Sequence, residues 1–419
     1  MKYLMEEIFL QLKIKKESIM DLKEEAMKFR KENHQIISTS LTTDVKDRHD
    51  LAIVYTPGVA APCLAIKEDE DKSLELTWRG NAVAVISDGT RVLGLGDIGA
   101  AAAIPVMEGK SALYKRFGNI DAIPIVIDTK DKDEFIHTVQ LLEKSFAGIN
   151  LEDISSPKCY DIEDELKETM NIPIFHDDQH GTAIAALAAV LGALRLANKK
   201  IEDVKVVMNG AGAAGTAIAK LLLGAGVKNE NMIVLNSKGI LYDNGKLDRV
   251  QTELANRVNP HKNKGTLKDA VCGADVLLGC SAPGVFTEEI VQSMNEKNIV
   301  FAMANPNPEM MEEDAKKAGV FIFGTGRSDM HNQVNNSSVF PGLFRGALDV
   351  RAKKINEEMK LAAAYALANL MGDSELTRDN VVVDVFDKRV PYAVAKAVAK
   401  AAIKTGVARV DQLPEKYQD

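Results

Sequence analysis

The chain has 419 residues, of which 46% are hydrophobic and 27% charged. Those proportions belong to ordinary globular proteins and exclude a chain disordered throughout, and the length allows roughly two or three domains. A net charge of -8 argues against nonspecific nucleic-acid binding, which needs Lys and Arg to neutralise phosphates, but it leaves an anionic small molecule open, because a pocket can be locally basic.

The first fifty or so residues read as helical and charged. Met20, Leu22, Ala26 and Phe29 recur at roughly helical spacing among Lys and Glu. This predicts an amphipathic helix on the surface or at a subunit contact. Met1 to Lys16 mixes Glu6, Glu7 and several lysines with its apolar residues, so no signal-peptide core is expected. From Val83 the texture changes. Apolar runs at Val83–Ile86, Ile123–Ile127 and Ile172–Phe175, separated by helical stretches, predict strands of a parallel sheet. The longest apolar run, Ala183–Leu194, is too short for a membrane span and is closed by Arg195, so no membrane role is expected.

After residue 200 the alternation sharpens. Strand texture at Val204–Met208 leads into a Gly-rich turn, a helix around Thr216–Leu223 and a strand at Met232–Leu235. Val276–Leu278, Ile299–Met303 and Val320–Phe323 repeat the strand texture. This predicts a doubly wound α/β domain. The last part, from about 346 to 419, is rich in Ala and Lys and reads as helical. Cys63, Cys159, Cys272 and Cys280 include no C-x-x-C pair, which fits reduced thiols and a cytoplasmic location.

The pattern G-x-G-x-x-G occurs twice, as Gly94 to Gly99 and as Gly210 to Gly215. In the second, a strand precedes and a helix follows, and Ala211, Ala213 and Ala214 fill the gaps. Small residues let the backbone approach a pyrophosphate, and the helix N-terminus offers free N–H groups, so dinucleotide binding is expected here. The first match carries Asp97 inside its loop, where a carboxylate repels a pyrophosphate. It reads as a tight turn, and Ala100–Ala103 reads poorly as the start of a packed helix. At the end of the second strand stand Asn236, Ser237 and Lys238, where NAD sites usually place an acid. The choice between NAD and NADP therefore stays open, leaning to NAD.

Two acidic doublets, Glu152-Asp153 and Asp177-Asp178, each follow an apolar, strand-like run. Singly, each is an ordinary loop feature. Together at strand ends they can converge at the mouth of a sheet, and three carboxylates with water and substrate oxygens suit Mg²⁺ or Mn²⁺. His176 and His180 stand four apart, but the segment is not the H-E-x-x-H motif, so zinc is not expected.

Tyr55-Thr56-Pro57-Gly58-Val59-Ala60, Arg91 to Asp97, Gly109-Lys110 before Leu113-Tyr114, Glu152-Asp153, Asp177 to Thr182, Asn305-Pro306, and Asn335-Asn336 before Phe340-Pro341-Gly342 resemble, in order, the catalytic blocks of malic enzymes. The length resembles the short prokaryotic type, without a phosphotransacetylase-like C-terminal domain. The resemblance implies an N-terminal catalytic α/β domain over 1–180 that binds malate and metal. A Rossmann-type doubly wound parallel-sheet domain over 181–345 would bind NAD(P), and a helical segment over 346–419 would pack back on the body. It implies Tyr55 as general acid, Lys110 as general base supported by Asp177, and Arg91, Asn305 and Asn336 as contacts to malate. Glu152, Asp153 and Asp178 would hold Mg²⁺ or Mn²⁺. Gly210, Gly212, Ala213, Ala214, Gly215, Asn236, Ser281 and Asn305 would contact the cofactor. A homodimer is implied as well. Two departures stand out: Asn236 replaces an acid, and Pro105–Lys110 is slightly longer than in the larger enzymes of the family.

The implied reaction oxidises malate, decarboxylates the resulting keto acid and protonates the enol of pyruvate. A lysine serves as base only when neutral, so its pKa is expected to be lowered by burial or by nearby positive charge. A malolactic-type enzyme, keeping NAD bound and releasing lactate, is the neighbouring alternative. A nucleotide-binding regulator without catalysis is the alternative of another class.

Overall fold

The computed structural model describes residues 23–418 apart from 34 and 93. The expected lack of a leader in Met1–Lys16, the helical positions Met20 and Leu22, and Leu93 of the Arg91 block lie outside the described residues. The chain forms two compact units, Met1–Ala60 and Ala61–Asp419.

In the first unit, residues 23–33 are helical, with Ala26 and Phe29 exposed. Helix α1 (Arg48–Val54) starts at Asp47, whose carboxylate accepts from the His49 and Asp50 N–H groups, a usual N-cap arrangement. Residues 35–47 are not helical, contrary to the expectation of helix throughout. Ile36, Ile37, Ser38, Thr39, Ser40, Thr42 and Thr43 are β-branched or compete for backbone hydrogen bonds, so helix is disfavoured there.

The second unit contains two sheets. The first has the order β2-β1-β3-β4, all parallel, from β1 (Ala82–Ser87), β2 (Asp121–Val126), β3 (Gly148–Leu151) and β4 (Ile174–His176). The second has the order β10-β9-β8-β5-β6-β7. It comprises β5 (Val206–Asn209), β6 (Met232–Asn236), β7 (Gly239–Ile240), β8 (Val276–Gly279), β9 (Ile299–Ala302) and β10 (Ile322–Thr325). It is parallel except for β7, which runs antiparallel to β6. This is the expected α/β architecture with a Rossmann-type sheet. β1, β5, β8 and β9 are buried along their whole length, which is why they read as unbroken apolar runs. Ile172 and Val204 were expected inside strands, yet they precede β4 and β5 while being 3% and 2% exposed. An apolar run reports burial, and burial extends past the hydrogen-bonded ladder.

The helices that frame the site are α2 (Ala100–Gly118), α3 (Lys158–Thr169), α4 (Asp177–Ala197) and α5 (Ala213–Gly224). Ala100–Ala103 opens α2, correcting the expectation of a bare turn. Gly99 at φ +80° turns the chain, and Ala100 and Ala103 are buried. α4 is apolar around most of its circumference, and 78% of its most hydropathic window is buried inside the protein. A helix apolar on all sides belongs in a core, and α4 packs against α5. Of the C-terminal helices α6 (Phe340–Asp349), α7 (Glu357–Ala368) and α8 (Arg389–Lys404), α6 packs on α2, α7 on α4, and α8 on both α6 and α7.

Candidate active site

In each sheet the chain leaves one strand for a neighbour on one side and returns to a neighbour on the other. The crossing points are β1/β3 and β5/β8. Loops at such points diverge and leave a crevice beyond the strand ends, where open α/β sheets bind ligands. Here both sets of loops open on one cleft of about 560 Å³, a volume suited to small-molecule ligands.

One wall of the cleft comes from the second sheet. β5 ends at Asn209 and α5 begins at Ala213, with Gly212 at its N-cap. Gly212, Ala213, Ala214 and Gly215 line the cleft beside Ser281 and Asn305. A Cβ on Gly215 would stand 1.8 Å from the Gly210 carbonyl oxygen, so only glycine lets the helix lie this close to the strand. The free N–H groups of α5 thus face the cleft, as a pyrophosphate requires. Gly210 and Asn236 do not line the cleft: Gly210 begins the turn, and Asn236 ends β6, where its Oδ1 accepts from Lys238 N at 2.8 Å.

The opposite wall carries charge. Arg91, Lys110, Glu152, Asp153, Asp178 and Asn336 line it. Arg91 N donates to the Asp153 carbonyl at 3.0 Å, which ties the loop after β1 to the loop after β3. Among the described residues Arg91 forms no ion pair, because Asp88 is taken by Lys158 and Asp97 by Lys130, both at 2.5 Å. Glu152, Asp153 and Asp178 bring carboxylate oxygens within 4.8 Å of one another. Glu152 and Asp153 are 4% and 3% exposed. Asp153 adopts φ +54°, a conformation that costs energy in a residue other than glycine and recurs at functional sites. Its N–H donates to Asp178 Oδ2 at 2.8 Å.

Lys110 projects from α2 between the two doublets. Its ammonium donates to Glu152 Oε1 at 2.7 Å and to Asp177 Oδ2, and it lies 4.6 Å from the Phe340 ring centroid. Asp177 is fully buried behind it. Tyr55 belongs to the first unit, where it ends α1 with its side chain exposed.

The charges in this group do not balance, and their pKa shifts show it. Burial raises the Glu152 and Asp177 carboxyls above their usual range, against the pull of Lys110. Burial works against the Lys110 ammonium too, but Asp177, Glu152 and Asp178 outweigh it and hold its pKa above that of free lysine. That reverses the expectation of a lowered lysine. The reason is three carboxylates, Asp177, Glu152 and Asp178, acting on one ammonium, with Arg91 making no ion pair among the described residues to offset them. Burial likewise opposes a charged His176, yet Asp178, whose Oδ2 is 3.2 Å from His176 Nε2, together with Cys159 outweighs it and holds the imidazole pKa well above its usual value. Clustered buried carboxylates in excess over cations suit a hard dication.

Sequence reasoning missed the groups that hold these residues. Asn150 Nδ2 donates to Glu152 Oε2 at 2.9 Å, and Tyr114 Oη donates to Asn150 Oδ1 at 2.8 Å. On α3, Glu163 accepts from His176 N (3.0 Å), Gln179 Nε2 (3.2 Å), His180 (2.8 Å) and Lys167 (2.7 Å). It therefore fixes the junction of β4 and α4 directly behind Asp177 and Asp178. Burial opposes the Glu163 carboxylate, but His180 and Lys167 outweigh it and hold its pKa well below the usual range.

A depressed carboxylate pKa adds stability above the unfolded pKa, and this is lost as pH falls through the folded value. Glu163→Gln is expected to cost about 2 kcal/mol at pH 7. Its deficit against the native chain is expected to shrink as pH falls below about 4.3. Urea unfolding of both proteins at a series of pH values checks this, and a deficit constant with pH contradicts it.

Known proteins share this arrangement. Residues 30–167 match the family model described as malic enzyme, N-terminal domain, and residues 179–403 the one described as malic enzyme, NAD binding domain. The bifunctional malic/malolactic enzyme of Bacillus subtilis (strain 168) is 53% identical over 96% of this chain and 98% of its own. The NAD-dependent malic enzyme of Geobacillus stearothermophilus is 52% identical over 90% and 79%, respectively. The NADP-dependent malic enzyme of Escherichia coli (strain K12) is 49% identical over 89% of this chain, which spans about half (51%) of that relative. The crystal structure of malic enzyme from Pyrococcus horikoshii Ot3 superposes with a TM-score of 0.90 at 43% identity, covering 94% of each chain. With a cofactor loop and an acidic cluster facing one cleft, and both family domains matched along it, this chain belongs to the malic enzyme family.

Proposed function

We propose that this chain oxidises and decarboxylates L-malate to pyruvate and carbon dioxide, passing the C2 hydride to NAD or NADP. The observation that carries the reading is Lys110, buried between Glu152 and Asp177, in the same cleft as the glycine loop. Arg91, Asn305 and Asn336 are the polar groups for malate, and the guanidinium binds a carboxylate. Lys110, positioned by Asp177, takes the proton of the C2 hydroxyl as the hydride leaves. Carbon dioxide then departs from C3 as the C3–C4 bond breaks, and the electron pair of that bond passes through C2 to the C2 oxygen, leaving an enolate. Tyr55, assigned from its motif, delivers a proton to C3. Glu152, Asp153 and Asp178 are suited to hold Mg²⁺ or Mn²⁺. When bound, such an ion supplies Lewis acidity for the C2 oxygen and positive charge against the carboxylates that keep Lys110 protonated.

The division of labour follows the chain, with the metal ligands, Arg91 and Lys110 on 1–180, the dinucleotide and the malate contacts Asn305 and Asn336 on 181–345, and the helices of 346–419 as support. The enzyme works in the cytoplasm as a homodimer. The free thiols and the exposed Leu51, Ile53 and Val54 of α1 are consistent with both, and light scattering of the purified chain tests the dimer.

The deciding experiment is turnover of L-malate with Mn²⁺ and either NAD or NADP, following reduced nicotinamide and the organic product. Equimolar pyruvate and reduced cofactor are expected. Lactate without net reduction would support the malolactic reading, one of the two activities in the name of the 53% identical Bacillus subtilis relative. No turnover would leave a nucleotide-binding regulator. For cofactor choice, Asn236→Asp is expected to raise the NAD:NADP ratio of kcat/KM by roughly tenfold, through repulsion of the 2′-phosphate. An unchanged ratio would move the discrimination elsewhere, with Lys238 the next position to vary.

A further inference from the structure

Glu309 is fully buried and does not line the cleft, yet it holds two loops that do. Its Oε1 accepts from Ser281 N at 2.6 Å and Ser281 Oγ at 3.1 Å. Its Oε2 accepts from Ala304 N at 3.0 Å. Ser281 follows β8 and Ala304 follows β9, so one carboxylate bridges the two neighbouring loops at the carboxyl ends of these strands. Asn209, at the end of β5, joins the chain by donating Nδ2 to Ser281 Oγ at 2.8 Å. Three consecutive strands are thereby fastened at the end where the cofactor loop begins.

A buried carboxylate is expensive to desolvate, and among the described residues no cation pairs with Glu309. Its partners are two peptide N–H groups and one hydroxyl. A residue chosen for core packing alone would be apolar. What the carboxylate adds is two acceptors at fixed separation, one for each loop. The strand beneath is shaped to admit it. A Cβ on Gly279 would stand 2.5 Å from the Glu309 carboxyl carbon, so β8 leaves room for the acid where any side chain would expel it.

We propose that Glu309 is the positioning residue of the cleft, setting the spacing between the Ser281 loop and the Ala304-Asn305 loop and thereby the affinity for the dinucleotide and for malate. This rests on the reading that both ligands occupy this cleft. Glu309→Gln keeps the shape but presents an amide N–H to one of the two loops, which repels its donor. Glu309→Asp keeps the charge but is one methylene too short to reach both loops.

The test measures NADH binding by fluorescence titration, kcat and KM for L-malate, and the thermal midpoint, on the full chain with Mn²⁺. Glu309→Gln is expected to weaken NADH binding by about tenfold, the worth of one charge-assisted hydrogen bond. KM for malate is expected to rise more than kcat falls, and Glu309→Asp should lie between Gln and the native chain. An unchanged NADH dissociation constant in both variants, whatever the thermal midpoint, would overturn the proposal. So would the absence of folded protein in both, which would make Glu309 a determinant of the fold. A native chain that binds no NADH and turns over no malate would instead refute the functional reading, and this proposal with it.

Discussion

Lys110→Met is expected to lower kcat for malate oxidation by roughly 10³-fold, within the range of lost general acid-base groups, while NADH binding changes little. The methionine keeps the apolar stem against Phe340 but removes the ammonium held by Glu152 and Asp177. Among the described residues no other lysine lines the cleft, so no second amine stands ready to take over the proton. Steady-state kinetics with saturating Mn²⁺ and cofactor, beside an NADH titration, checks the effect. Partial recovery with added small primary amines would identify the lost function as proton transfer. A loss below tenfold would remove Lys110 from the chemistry.

The second large effect concerns metal. Treatment with a chelator is expected to reduce turnover to background, and Mn²⁺ is expected to restore it. Burial, with a further push from neighbouring carboxylates, raises Glu152 and Asp177 above their usual range in spite of Lys110, so a dication bound at this cluster would relieve repulsion already built into the fold. Mn²⁺ at a hundredfold its dissociation constant is expected to add about 2.7 kcal/mol to stability, seen as a higher thermal midpoint. Asp178→Asn removes one of the three clustered carboxylates, and Asp178 Oδ2 also accepts from the Asp153 backbone. The variant is expected to need at least about a hundredfold more Mn²⁺ for half-maximal activity, since even supporting residues of metal sites often matter 10–100-fold. Full activity in a chelator, or an unchanged Mn²⁺ requirement in the variant, would rule out these carboxylates as ligands.

What could be read from the sequence was whatever depends on near neighbours along the chain. Gly210 to Gly215 declared its turn because strand, glycines and helix are contiguous, and β1, β5 and β8 declared themselves because full burial writes an unbroken apolar run. The helix after Gly99 was obscured by the aspartate in its loop, although Asp97 simply pairs with Lys130. The supports of the site were hidden for a different reason. Glu163 sits among Asp161, Glu165 and Glu168 on one helix, and local pattern cannot say which of these turns inward to meet His180. Asn150 within β3 and Glu309 beyond β9 gain meaning only from partners brought in by the tertiary fold. The charge state of Lys110 was misjudged because it depends on the sum of a whole cluster, which the spacing of single residues does not report.

The borders of the second sheet have a consequence for the protein at high concentration. On one side β7 is two residues long and antiparallel, and Ile240 N is already engaged by the Gly265 carbonyl at 2.9 Å. On the other, the Thr325 carbonyl of β10 accepts from Val334 N at 2.7 Å, in the segment that leads to Asn335 and Asn336. A short or occupied border gives an incoming strand little to zip onto, which is how natural sheets avoid templated fibre growth. Copies of this sheet should therefore meet through side chains rather than by extending one another's ladders.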